Sequence, residues 1–263
     1  MKKNIVFILF IMLVMSANAQ LISVDALSKI IKDPNVVVID ARPAADYLKT
    51  HIDGAIGLDA SALSNNTPVE GTLKSSSEMA TILGKNGVSN KNKIVVYCKT
   101  GVNAGRMYWI LKYLGCDDVS VLDGQMDAWF AARKPITKNP KKLTPTNFSA
   151  SVNSSMLVDK AYVKSKLSSS STIIVDSRKK ADYDAGHIGN AVNIPSEIML
   201  TGSKLKPVAD LTSIYSGVSK DKEIILYCKT GYTASFTYFV LKSLLKYPNV
   251  KVYDGAYLDW TQK

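Results

Sequence analysis

Ile94-Val95-Val96-Tyr97-Cys98-Lys99-Thr100-Gly101 and Ile224-Ile225-Leu226-Tyr227-Cys228-Lys229-Thr230-Gly231 are one eight-residue phrase written twice, 130 residues apart (Cys98 to Cys228). In each copy an uninterrupted β-branched run ends on a cysteine, and a glycine-containing loop leads into a segment with helical apolar spacing. Continuous apolar runs of this length are the mark of strands buried on both faces of a parallel sheet. The helical stretches are Met107–Leu114 and Thr237–Leu244.

Working outward, the duplication extends over most of the chain. Val37-Val38-Ile39-Asp40-Ala41-Arg42 is matched by Ile173-Ile174-Val175-Asp176-Ser177-Arg178 at an offset of 136 (Asp40 to Asp176). At the same offset Ala45-Asp46-Tyr47 and His51-Ile52 recur as Ala181-Asp182-Tyr183 and His187-Ile188. Further on, Asp123-Gly124 and Trp129 recur as Asp254-Gly255 and Trp260. Ordered matches with small shifts in offset mean two copies of one domain. Strand–helix alternation within each copy predicts an α/β fold, an open parallel sheet flanked by helices, with ligands bound beyond the carboxyl ends of the strands. The expected domains are 20–137 and 151–263, joined by a connector at 138–150. Its prolines and lysines (Lys138, Pro140, Lys141, Lys142, Pro145) read as extended and solvated.

Composition narrows the class. With 46% hydrophobic and 21% charged residues the 263-residue chain is globular rather than disordered, and large enough for two domains. Its formal charge is +11, yet the basic run in the connector lacks the aromatic interleaving of a nucleic-acid surface, so no nucleic-acid partner is expected. Two His and three Cys, with no CxxC or HExxH spacing, leave no material for a structural metal site or a disulfide scaffold. Residues 1–19 read as an export signal. Lys2 and Lys3 precede the apolar run Ile5–Met15, and Ala17-Asn18-Ala19 supplies a cleavage site before Gln20. The run is shorter than the ~20 residues a membrane-spanning helix needs, and no later segment qualifies. The expected product is a periplasmic or secreted protein without stable membrane insertion; the sequence sets no oligomeric state.

The chemistry centres on the two repeated cysteines. A loop running from strand end to helix start can turn successive backbone N–H groups inward as a nest for anions. A thiol at its centre feels those dipoles and the adjacent Lys99 or Lys229, and a pKa below the free value of about 8.5 is expected for both. A side chain sealed in the interior, with its neighbouring amides turned elsewhere, would end this reading. Cys116 lacks a counterpart and reads as structural. His51 and His187 belong to His-Ile turns and are expected to bond locally rather than serve as bases. Asp40 with Arg42, and Asp176 with Arg178, stand at strand ends, where they form the floor of a site or pair with each other.

On these residues the chain resembles the rhodanese family, specifically its tandem-domain sulfurtransferases. The likeness covers the Asp-x-Arg opening, Gly186-His187-Ile188, the cysteine loop, the Asp-Gly…Trp ending and the passage Asn147 to Val163, and thus nearly all of the chain beyond the signal. It implies two rhodanese-like domains without a cofactor. It also implies a catalytic Cys that takes sulfane sulfur from an anionic donor (thiosulfate or 3-mercaptopyruvate) as a persulfide and passes it to cyanide or a thiol. Carried over by position, the implied catalytic residues are Cys228 first and Cys98 second. The implied substrate contacts are Lys229, Thr230, Gly231, Tyr232 and Thr233, with Lys99, Thr100 and Gly101 in the first copy. Two features depart from the family pattern. Tandem members usually keep the Cys only in the second domain, and the animal thiosulfate enzymes place an Arg where this chain has Asp46 and Asp182.

Rival functions separate on single residues. A Cys-dependent phosphatase needs an Arg six positions after its nucleophile; Ala104 and Ala234 stand there, and Arg106 comes too late. Thiol–disulfide exchange lacks a resolving Cys in either loop. A non-catalytic rhodanese-like module that carries sulfur is the alternative, and detection of a persulfide with turnover separates it from an enzyme.

Overall fold

In a computed structural model, residues 20–262 are described; the expected export signal at 1–19 lies outside the described residues. Strands β1 (Leu21–Ile22), β2 (Val36–Asp40), β3 (Ala55–Gly57), β4 (Lys93–Tyr97) and β5 (Val119–Leu122) pair in parallel in the order β1-β5-β4-β2-β3. Strands β6 (Leu157–Val158), β7 (Thr172–Asp176), β8 (Val192–Asn193), β9 (Glu223–Tyr227) and β10 (Val250–Tyr253) pair in parallel in the order β6-β10-β9-β7-β8. The second sheet repeats the first strand for strand. In both, the central strand is the one that ends at a cysteine, so each thiol sits at the carboxyl edge of its sheet.

Local signals place the helices. In the first domain these are α1 (Val24–Ile30), α2 (Ala44–Lys49), α3 (Ser76–Lys85), α4 (Val102–Tyr113) and α5 (Gln125–Ala131). The second has α6 (Lys160–Lys166), α7 (Lys180–Asp184), α8 (Val208–Ile214), α9 (Tyr232–Tyr238) and α10 (Ala256–Thr261). Ser23 caps α1 by accepting the Ala26 N–H at 3.2 Å, and Ser75 with Glu78 forms a capping box on α3. The last predicted helix differs in kind: after Tyr238 the chain winds into a π-helical turn, Phe239–Leu244.

Three apolar clusters hold the layers. One fills the outer face of the first sheet around Ile22, Leu27, Val95, Leu122 and Trp129, and another the outer face of the second around Val163, Ile174, Ile225 and Tyr253. The third is shared. It runs from Val37, Ile94 and Val121, through Met107, Trp109 and Leu111 of α4, to Phe236, Phe239 and Val240, and on to Val175, Leu226 and Val252. The two domains therefore have one common core, with α4 packed against the α9 segment. Gly105 permits the approach, because a Cβ there would lie 2.6 Å from Phe236 Cα.

The connector is extended, as expected, but fastened to the first domain. Ile136–Thr137 pairs antiparallel with His51–Ile52. Lys141 N–H donates to Tyr47 Oη at 3.0 Å, Thr146 N–H to Gly84 O at 2.9 Å and Ser151 N–H to Leu114 O at 3.0 Å, while Phe148 is buried. Among the described residues no helix is long and apolar enough to cross a membrane.

Candidate active site

Each cysteine follows a strand whose last four residues are buried, and the next three residues turn the chain into a helix. The turn requires glycine: Gly101 and Gly231 have φ of +94° and +88°, the left-handed region that costs an L side chain. That conformation aims the glycine N–H back at the sulfur. Gly101 N–H donates to Cys98 Sγ at 3.1 Å, and Gly231 N–H to Cys228 Sγ at the same distance. The backbone N–H groups of Thr100, Asn103 and Ala104 also act on Cys98. The inward-facing glycine N–H is therefore present in both copies, and at Cys98 further amides join it.

The two thiols differ in surroundings rather than exposure, which is 2% for Cys98 and 3% for Cys228. Cys228 lines a cavity of about 210 Å³ together with Lys229, Thr230, Tyr232 and Thr233, and with Ser177, Arg178, Lys179, Asp182, Ser196 and Glu197 from facing loops. Gly231, the remaining substrate-contact candidate, contributes its N–H to the sulfur instead of a wall. Near Cys98 the buried Gln125 closes in: Cys98 N–H donates to Gln125 Oε1 at 2.8 Å, and Gln125 Nε2 donates to Leu122 O at 2.7 Å. Its counterpart beside Cys228 is Ala256, which brings no polar head. Lys99 and Thr100 are exposed beside the first loop, and Gly101 is buried against the Phe236 ring.

The lowered pKa expected of both thiols is corrected for Cys98. Burial pushes that thiol up, and its amide hydrogen bonds only offset the desolvation in part. Cys116 is likewise pushed up, to about 12, by burial. All three cysteines are unpaired and buried.

In both copies the Asp and Arg pair with each other. Arg42 Nε donates to Asp40 Oδ1 at 2.9 Å and Nη2 to Oδ2 at 2.6 Å, while Nη2 also reaches Thr50 O. Arg178 repeats the fork on Asp176 at 3.0 and 2.5 Å and reaches Gly186 O, with its guanidinium 3.8 Å from the Tyr257 ring centroid. These pairs brace the strand ends, and Arg178 additionally lines the cavity. Neither histidine approaches a thiol as a base. His51 stacks on Tyr47 and its Nδ1 bonds Tyr47 O at 2.8 Å; His187 stacks on Tyr183 and bonds Tyr183 O at 3.1 Å. Among the described residues no group of three or more His, Cys, Asp and Glu gathers to hold a metal.

Several residues here were not singled out from the sequence. Ser196 and Glu197 open a 3-10 turn whose first-copy counterpart, Ala60–Leu63, carries different side chains, and Lys179 stands beside the Asp-Arg fork of its own copy. Arg106 was noted only as misplaced for phosphate. It is wholly buried, and the one available signal was a charge amid the apolar period of α4.

Comparison with known proteins agrees with this geometry. The model of the rhodanese-like domain matches residues 23–132 and again 159–263, and the chain belongs to the rhodanese family. The 3-mercaptopyruvate sulfurtransferase of Escherichia coli (strain K12) is 31% identical over 91% of this chain and 94% of its own. The thiosulfate sulfurtransferase of Bos taurus is 30% identical over 82% and 78%. A crystal structure of a 3-mercaptopyruvate sulfurtransferase, SseA from Escherichia coli, superposes with a TM-score of 0.85 at 30% identity, covering 90% of this chain and 98% of that one. The protein is a sulfurtransferase with two tandem rhodanese domains.

Proposed function

We propose that Cys228 is the sulfur-carrying nucleophile, that the donor is a small anion of the thiosulfate or 3-mercaptopyruvate type, and that the acceptor is cyanide or a thiol. The observation that carries this reading is the Gly231 N–H held 3.1 Å from a sulfur that lines a cavity also bordered by Lys229, Lys179 and Arg178. The cations favour an anionic donor. The amide favours both the attacking thiolate and the charged adduct that replaces it.

The reaction divides into two half-reactions. With thiosulfate, the Cys228 thiolate attacks the outer sulfur, a new S–S bond forms, and the donor's S–S bond breaks with its electron pair leaving on sulfite. With 3-mercaptopyruvate the C–S bond breaks, and the departing enolate takes a proton to become pyruvate. The terminal persulfide sulfur is then attacked by the acceptor, and the electron pair returns to Cys228 as thiolate. Asp182 and Glu197 oppose a donor of high negative charge, so the site suits a monoanionic donor better than a dianionic one. Cys98, whose thiol burial pushes up and which lies outside the cavity that Cys228 lines, is not the primary centre in this reading.

Incubating the protein with each donor tests this. Intact-mass and peptide analysis are expected to find about 32 Da added on Cys228, removable by cyanide. Cys228→Ser is expected to lose turnover by at least ~10³-fold, whereas Cys98→Ser stays within about threefold of wild type. An adduct on Cys98 alone, or turnover that survives in Cys228→Ser, overturns the assignment. Export is proposed on Lys2, Lys3 and the Ile5–Met15 run; cell fractionation with an N-terminus at Gln20 in the mature chain supports it.

A further inference from the structure

Arg106 belongs to the first domain, yet its guanidinium lies against the cysteine loop of the second. Nη1 donates to Ser235 Oγ at 3.1 Å, and Nη2 donates to Asp254 Oδ1 at 2.9 Å and to Gly71 O at 2.6 Å. The plane also sits over the Tyr232 ring, 5.4 Å from its centroid. Ser235 Oγ donates onward to Gly231 O at 2.8 Å, and a Cβ on Gly231 would meet Arg106 Nη1 at 3.0 Å. Asp254 opens the segment whose Tyr257 N–H donates to Cys228 O at 2.9 Å and whose Leu258 N–H donates to Lys229 O at 3.2 Å. One buried side chain thus grips both strips of backbone that cradle Cys228.

The equivalent position in the second domain is Phe236, 130 residues on, and it faces the first domain's cysteine loop: a Cβ on Gly101 would meet the ring at 3.1 Å. The interface therefore gives the Cys228 loop a five-donor planar cation and the Cys98 loop a hydrocarbon ring. A guanidinium fork can satisfy three acceptors in fixed directions, which neither an ammonium nor a phenyl group does.

We propose that Arg106 is a positioning residue supplied across the domain interface: through Ser235 it holds the Gly231 carbonyl and so fixes this glycine with its N–H on Cys228 Sγ, which makes the first domain part of the second domain's active site. This rests on the reading of Cys228 as nucleophile. A displacement of about 1 Å in such a donor costs on the order of 10²-fold in rate.

The test uses Arg106→Lys in the full chain, which keeps the charge and loses the fork. Two readouts are followed as a function of pH: site-resolved alkylation of Cys228 and Cys98 by iodoacetamide, and steady-state sulfur transfer from thiosulfate and from 3-mercaptopyruvate. Expected are a drop of about tenfold or more in Cys228 alkylation at neutral pH, an upward shift of its pH midpoint, and a matching fall in kcat with little change in KM, while Cys98 labelling is unaltered. Wild-type alkylation, pH midpoint and kcat in a folded Arg106→Lys protein overturn the proposal, even if its melting temperature falls. Should that variant fail to fold, Ser235→Ala decides: it cuts the link to Gly231 and leaves the ion pair, and unchanged labelling and turnover there overturn the proposal equally. Alkylation of Cys228 needs no sulfur donor, so a failed substrate assignment leaves this comparison intact.

Discussion

At the scale of single residues, one repeated motif sets its two cysteines in different surroundings. Both have a glycine N–H at 3.1 Å, but Cys98 has Gln125 across its backbone and a thiol pushed up by burial. The linkage sign follows. A folded thiol with a raised pKa holds its proton where the unfolded one, near 8.5, has begun to lose it, so stability is full below that value and declines as pH rises beyond it. Cys116, pushed up to about 12, adds to the same slope. Urea midpoints between pH about 8.5 and 10 are therefore expected to fall with pH, and to fall less steeply in the Cys98→Ser, Cys116→Ser double variant; equal slopes in the two proteins contradict this. At this scale the sequence was legible where a residue repeats: the Asp-Arg forks, both loops and the locally bonded histidines stand where the motif puts them. It was silent on Gln125 and Arg106, whose meaning comes from elements distant in the chain.

At the scale of elements, the two strands ending at the cysteines and the helix over Met107–Leu114 followed from apolar runs, because that signal is local, whereas Thr237–Leu244 winds into the π-helical turn. The connector did not follow in this way. Its lysines and prolines describe a solvated strand of chain, whereas backbone hydrogen bonds at Asn139, Lys141, Thr146 and Ser149 tie it along the first domain. The reason is visible at Gly84, which lies inside α3 rather than ending it. A Cβ there would come within 2.5 Å of Thr146 O. Helix propensity alone makes Gly84→Ala stabilising by up to ~1 kcal/mol. The backbone clash outweighs it, and a net loss of about 1–3 kcal/mol is expected, read as a melting temperature several degrees lower. A melting temperature at or above wild type would mean that the connector yields freely at Thr146.

At the scale of the whole molecule, duplication predicted two domains and the structure adds how they are joined. The shared cluster from Val37 to Val252 passes through α4 and α9, beside buried links of Arg106 to Ser235 and of Tyr108 to Ser243, so the inner faces of both sheets depend on the other half for cover. A single unfolding transition is expected, with far-UV circular dichroism and tryptophan fluorescence coincident in denaturant. Trp109 and Trp129 report on the first half and Trp260 on the second, so two separated steps would show that the halves let go independently. Periodicity identified the apolar faces of these helices, but a face alone does not say whether its partner is a sheet in the same copy or a helix in the other.

Each half also reaches over to the other's loop. Leu73 N–H of the first half donates to Asp254 Oδ2 at 2.7 Å, while Ser203 of the second donates to Gly124 O at 3.0 Å. Two identical chains meeting about this axis would be bound to repeat any side chain on both sides of it. An arginine chosen for one centre would be forced upon its twin, and a ring chosen to fill one gap would have to fill both. Covalent fusion lifts that obligation, and the two loops diverge: an arginine stands beside one and a phenyl ring beside the other.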